Sequence, residues 1–153
     1  MPRIKLFAAI VASMAIAAIA AGFAFAHGSA TTGGATVAVA KTKLGSILVD
    51  GKGITLYDFV LDKGGKSACY GSCASYWPPL LTKGKPVAVR GARAALLGTT
   101  KRKDGKLEVT YAGRPLYYWI GDKKPGQTTG QGINQFGAPW WVLTPAGKEI
   151  HRR

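Results

Sequence analysis

Two stretches of this chain lie over one another at an offset of 60 residues, so whatever fold it adopts has to be built twice. Leu56-Tyr57-Asp58-Phe59-Val60-Leu61-Asp62-Lys63 aligns with Leu116-Tyr117-Tyr118-Trp119-Ile120-Gly121-Asp122-Lys123. Each stretch follows a turn and precedes a Gly-containing loop. Each then leads to a Trp-containing apolar run, Trp77-Pro78-Pro79-Leu80-Leu81 or Trp140-Trp141-Val142-Leu143, by which point the offset has drifted to about 63. One copy is too short to cover its own aromatic face, so the two are expected to pack on each other.

The local pattern is that of strands. Ile47-Leu48-Val49, Asp50-Gly51-Lys52-Gly53 and Ile54-Thr55-Leu56-Tyr57 read as strand, tight turn, strand, because Asp-Gly supplies the backbone conformation a hairpin turn needs. Leu107 to Tyr111, Ala112 to Pro115 and Leu116 to Ile120 repeat the plan. Only Gly91 to Gly98, between the copies, suggests one or two helical turns. The expectation is an all-β fold: two pseudo-repeats of short antiparallel strands packed into one small domain, with at most one short helix between them. Repeat one spans about 44–81, a connector 82–106 and repeat two about 107–147.

Both copies carry Tyr-x4-Asp with an aromatic residue two places after the Tyr. Side chains alternate along a strand, so Tyr57 shares a face with Phe59, and Tyr117 with Trp119. These four rings are expected in a core shared by the copies, with Asp58 on the other face. Asp62 and Asp122 fall at the strand ends, out of reach of their own copy's Tyr unless a bulge intervenes. They are expected to close loops by accepting backbone N–H bonds two or three residues on. Tyr118 and Tyr70 are the rings expected to be most exposed.

At these residues the chain resembles the bacterial secreted and lipoprotein repeat family of unknown function described by the Tyr-x4-Asp motif. The resemblance runs through Cys69-x3-Cys73-Ala74, Trp77-Pro78-Pro79-Leu80, Leu96-Leu97-Gly98-Thr99 and Asp104-Gly105. It continues through Val109-Thr110-Tyr111-x-Gly113-Arg114-Pro115-Leu116-Tyr117-Tyr118, Gly121-Asp122-x-x-Pro125-Gly126 and Gly130-Gln131-Gly132, covering about 44–147. It implies a secreted domain and carries no substrate and no catalytic residue.

The first residues point the same way. A basic start (Arg3, Lys5), an apolar run to about Ala21 and the triplet Ala24-Phe25-Ala26 read as a signal peptide over 1–26, cleaved after Ala26. Residues 27–40 read as a flexible leader, and 41–153 as a single secreted repeat domain. No Cys lies near the cleavage site, so the product is expected to be periplasmic or extracellular and not lipid-anchored. With Arg3 and Lys5 removed, 19 basic and 7 acidic residues remain, a formal charge of +12. That balance suits anionic envelope polymers or lipid headgroups, with no specific readout of nucleic acid expected.

The only cysteines, Cys69 and Cys73, are expected to pair in an oxidising compartment. Closing a loop of about five residues contributes roughly 2 kcal/mol, enough to pin a loop and too little to staple a fold. No His falls inside the repeats, so a Ser-His or Cys-His arrangement cannot be assembled there. The expectation is an exported, non-enzymatic binding or structural module of the bacterial envelope, with no cofactor and no metal. The competing reading is a redox- or metal-linked envelope protein using Cys69 and Cys73, or the amine and imidazole of an N-terminal His27.

Overall fold

The computed structural model describes residues 33–152. The expected signal peptide, His27 and the first part of the expected leader lie outside the described residues. The strands are β1 (Thr36–Thr42), β2 (Gly45–Asp50), β3 (Tyr57–Phe59), β4 (Leu81–Thr82) and β5 (Val87–Ala88), followed by β6 (Leu97–Lys101), β7 (Leu107–Tyr111), β8 (Arg114–Pro115), β9 (Asn134–Gln135) and β10 (Ala138–Val142). One short helix, α1 (Ser72–Tyr76), and a 3-10 turn at Ala94–Leu96 complete the fold. The architecture is all-β. The short α-helix sits inside repeat one, however, and only the 3-10 turn lies in the connector.

The leader is shorter than the sequence implies. Val37 and Ala38 are fully buried, and β1 pairs with β2 from Val37 opposite Asp50 to Thr42 opposite Gly45. The alternation of Thr36-Val37-Ala38-Val39-Ala40 is a strand pattern masked by the Gly, Ala and Thr before it. Its counterpart is β6, which pairs with β7 from Leu97 opposite Tyr111 to Lys101 opposite Leu107. Each copy therefore opens with a hairpin whose first strand the sequence assigns to the leader or the connector. After each hairpin comes a further bridge, Val49 to Thr55 in one copy and Thr110 to Pro115 in the other.

The copies meet at Tyr57 and Tyr117, which exchange both backbone hydrogen bonds, Tyr57 N to Tyr117 O at 2.8 Å and the reverse at 2.9 Å. A pseudo-two-fold axis passes between them. Beyond this point each copy hands its last segment to the other. Leu80, the end of repeat one, accepts from Val109 N and donates to Leu116 O. Leu143, the end of repeat two, accepts from Leu48 N, and β10 pairs antiparallel with β3, setting Trp140 against Phe59 and Val142 against Tyr57. The repeats are thus interlocked, and neither hairpin is completed by its own tail.

Alternation along the strands then sorts the core. Leu56 and Leu116 enter an aliphatic cluster with Leu48, Leu80, Val109 and Leu143. Tyr57 and Tyr117, one residue on, enter the aromatic cluster with Phe59, Trp77 and Trp140. Both clusters draw from both copies, as expected for half-buried units that gain most by covering each other.

Candidate functional site

The motif side chains converge on the axis as a stack of rings. Trp77 and Trp140, equivalent by the repeat, lie face to face at 4.0 Å and 3°. Phe59 caps Trp140 at 4.1 Å, and Trp119 caps Trp77 at 4.5 Å with a 35° tilt. Tyr57 meets Trp77 edge-on, and Tyr117 meets Trp140 in the same way. Offset faces and edge-to-face contacts are the geometries favoured by the ring quadrupoles. Gly130 closes the layer. A Cβ there would approach Trp77 and Tyr57 to 2.9 Å, so no larger residue fits without displacing them. Phe59 is buried, whereas Trp119 is only half-buried, which makes it a weaker member of the core than the sequence suggests.

Each Tyr hydroxyl donates to the Asp of the other copy. Tyr57 reaches Asp122 Oδ2 at 2.6 Å, and Tyr117 reaches Asp62 Oδ2 at 2.7 Å. The second carboxylate oxygen holds the loop. Asp62 Oδ1 accepts from Ala68 N, and Asp122 Oδ1 accepts from both N and Oγ1 of Thr129. Loop closure is therefore present as expected, but it spans six or seven residues rather than two or three, and the crossing itself was not expected. Burial, reinforced by the Asp contacts, pushes both hydroxyls well above the ordinary Tyr value, so both remain protonated donors.

A polar network extends from one pair only. The Tyr117 hydroxyl also meets Ser67 Oγ at 2.7 Å, and Arg102 binds Ser67 Oγ, Glu108 Oε2 and the Cys69 carbonyl. Arg102 and Glu108 are both buried. Burial pushes Glu108 up to about 7 and outweighs its ion pair with Arg102. Burial likewise lifts Asp62 to about 6, against the opposing bonds from Ala68 and Tyr117.

Asp58 departs from its expected place. It is 1% exposed, because the facing strand β10 and Arg114 cover the side the sequence leaves open. One guanidinium nitrogen of Arg114 bridges Asp58 at 2.6 Å and Glu149 at 2.5 Å. Burial and then the Glu149 charge raise Asp58 to about 7. Burial works the same way on Glu149, but His151 and Arg114 outweigh it and hold Glu149 below the usual range. Asp58, Arg114 and Glu149 line a cavity of about 540 Å³ together with Asp62, Phe59 and Pro115. A carboxylate pair already bridged by an arginine is committed to an ion-pair network, which favours a structural role for Asp58.

The cysteines form the expected disulfide, with a Cα–Cα distance of 5.2 Å. It encloses the start of α1, and both residues are buried in the aromatic cluster. Tyr118 and Tyr70 are half-buried. Tyr118 donates to Asp50 Oδ2, and Tyr70 lies under Arg102 and accepts from Lys103 N. The large exposed rings among the described residues are instead Tyr76 and Phe136, which sequence reasoning missed.

Charge is sorted more sharply than its total suggests. Of the seven acidic residues, Asp58, Glu108 and Asp122 are buried, Asp50, Asp62 and Glu149 are half-buried in hydrogen bonds, and only Asp104 is exposed. Among the described basic residues, all but Arg102 and Arg114 are exposed. The acids hold the interior together and leave the solvent face almost wholly positive.

Comparison with curated proteins and with solved structures finds no match. The family described as a secreted repeat of unknown function matches twice, over residues 38–81 and 98–144. Those limits include β1 and β6 as the openings of the two copies and together cover more than half of the chain, so the protein belongs to this secreted repeat family.

Proposed function

We propose that the protein is an exported, non-enzymatic module that binds an anionic component of the bacterial envelope through its basic surface. The observation that carries this reading is the sorting of charge. Six of the seven carboxylates are drawn into internal bonds, while the lysines project outward, so the field at the surface is of one sign. A uniformly positive face raises the local concentration of polyanions and speeds their capture. The motif residues support the same reading by what they are occupied with. The Tyr–Asp pairs and the ring stack hold the copies together, which leaves the surface as the working part. The thiol-based alternative has less support, because both sulfurs are packed in the core where an attacking thiolate has little access.

The test is equilibrium binding to dextran sulfate and to uncharged dextran across a salt series. Binding to the sulfated polymer that weakens steeply with salt, with none to the neutral one, is the expected result. Equal affinity for both polymers, or none for either at low salt, would overturn the reading.

A further inference from the structure

We infer that the connector and the strand ends flanking it carry a docking site for an anionic lipid bilayer; this rests on the electrostatic reading above and names its partner. This region joins two features. The first is exposed aliphatic surface. Leu81, Val87 and Leu107 are 40%, 44% and 37% exposed, and Leu81 and Leu107 line one open cavity of about 440 Å³. Leu107 also borders a second cavity of about 370 Å³, with Pro86, Ala94 and Leu97, so it lines both. The second is positive charge on the rims. Lys83 and Lys106 line the first cavity, Lys85 lines the second, and Lys101 pairs across the strand from Leu107. No carboxylate lines either cavity. Asp104, the one exposed acid, is drawn to Lys106 and Arg102.

Aliphatic side chains ringed by lysines match the boundary of an anionic bilayer. There the apolar groups enter the acyl region, while lysine stems lie along it with their ammonium groups at the phosphates. Each lysine near such a surface adds attraction that salt screens. A soluble polyanion would use the lysines and gain nothing from the leucines, and it is the leucines that select a bilayer. No helix among the described residues is long and apolar enough to cross a membrane.

The experiment is co-sedimentation of the secreted protein with vesicles of equimolar phosphatidylglycerol and phosphatidylcholine. Pure phosphatidylcholine vesicles and dextran sulfate serve as comparisons. The anionic vesicles should bind and the zwitterionic ones should not. Leu81→Ser combined with Leu107→Ser should weaken vesicle binding about tenfold, through lost apolar insertion, and leave dextran sulfate binding unchanged. Phe136→Ser, equally exposed but lining neither cavity, should leave both unchanged. Thermal melting verifies that each variant is folded, and Leu107→Ser alone replaces the double variant if that fails. Vesicle binding indifferent to the leucines would overturn the inference. So would capture of dextran sulfate with no capture of vesicles, which points to a soluble polymer and leaves the proposed function standing. Binding to neither would remove both.

Discussion

Tyr57 and Tyr117 reach across the pseudo-two-fold axis in the same way, but the carboxylates that receive them sit in different loops. Asp122 accepts three hydrogen bonds, two of them from Thr129, and nothing else polar touches the Tyr57 hydroxyl except the Gly130 N–H. Asp62 accepts two, and the Tyr117 hydroxyl has a second partner in Ser67, through which it joins Arg102, Glu108 and the disulfide loop. One side is a closed contact and the other is a node in a buried network. The pairing geometry is thus a property of the repeat, while its electrostatics belong to the loop each copy happens to carry.

The largest expected effect tests whether the ring stack is as two-sided as the pairing. Trp77→Ala and Trp140→Ala, each removing a fully buried ring at the centre, should each destabilise by roughly 3–5 kcal/mol in denaturant unfolding. Phe59→Ala should approach that range, whereas Trp119→Ala, at the half-buried end, should cost only about 1–3 kcal/mol. Equal losses at Phe59 and Trp119 would mean that exposure does not separate the two ends.

The next effect separates the carboxylates. Asp122→Ala leaves the Tyr57 hydroxyl with no acceptor and frees Thr129, so about 2–3 kcal/mol is expected. Asp62→Ala leaves Tyr117 with Ser67, so about 1–2 kcal/mol is expected. A reversed order would show that the network on the Asp62 side matters more than the number of bonds.

The smallest effect is a pH slope, and most of it belongs to the Asp62 side. Asp62 at about 6, and Asp58 and Glu108 at about 7, all lie above their ordinary values. A raised carboxylate adds stability that is fully present below its unfolded value and is lost as pH rises through the folded one. Stability should therefore fall between about pH 4 and pH 7, with Glu149 opposing only at the acid end, below its ordinary value, because its value is lowered. Asp62→Asn and Glu108→Gln should each flatten that slope in urea unfolding, whatever they do to absolute stability. A slope unchanged in both would remove Asp62 and Glu108 as its origin.

Much of this was legible in the residues. The repeat, the strand plan, the shared aromatic core and the disulfide follow from spacing and alternation, because burying a face requires the period the sequence displays. The crossing was not legible. Trp77-Pro78-Pro79-Leu80 and Trp140-Trp141-Val142-Leu143 carry similar patterns, so either tail satisfies either hairpin on hydrophobic grounds. The backbone bonds of Leu80 with Val109 and Leu116, and of Leu143 with Leu48, show which tail each hairpin takes. Asp58 was misplaced for a related reason. Alternation puts it opposite Tyr57 and Phe59, but a strand covered on both faces has no solvent side, and the charge is met by Arg114 from the other copy. Val37 and Ala38 were hidden by the low-complexity residues before them.

The central claim is that the copies are interlocked through crossed Tyr–Asp pairs, and double-mutant cycles test it most directly. Tyr57→Phe with Asp122→Ala, and Tyr117→Phe with Asp62→Ala, should each show a coupling of about 1 kcal/mol or more. The same-copy cycles, Tyr57 with Asp62 and Tyr117 with Asp122, should show well under that. Strong coupling within each copy and none between them would contradict the interlocked fold.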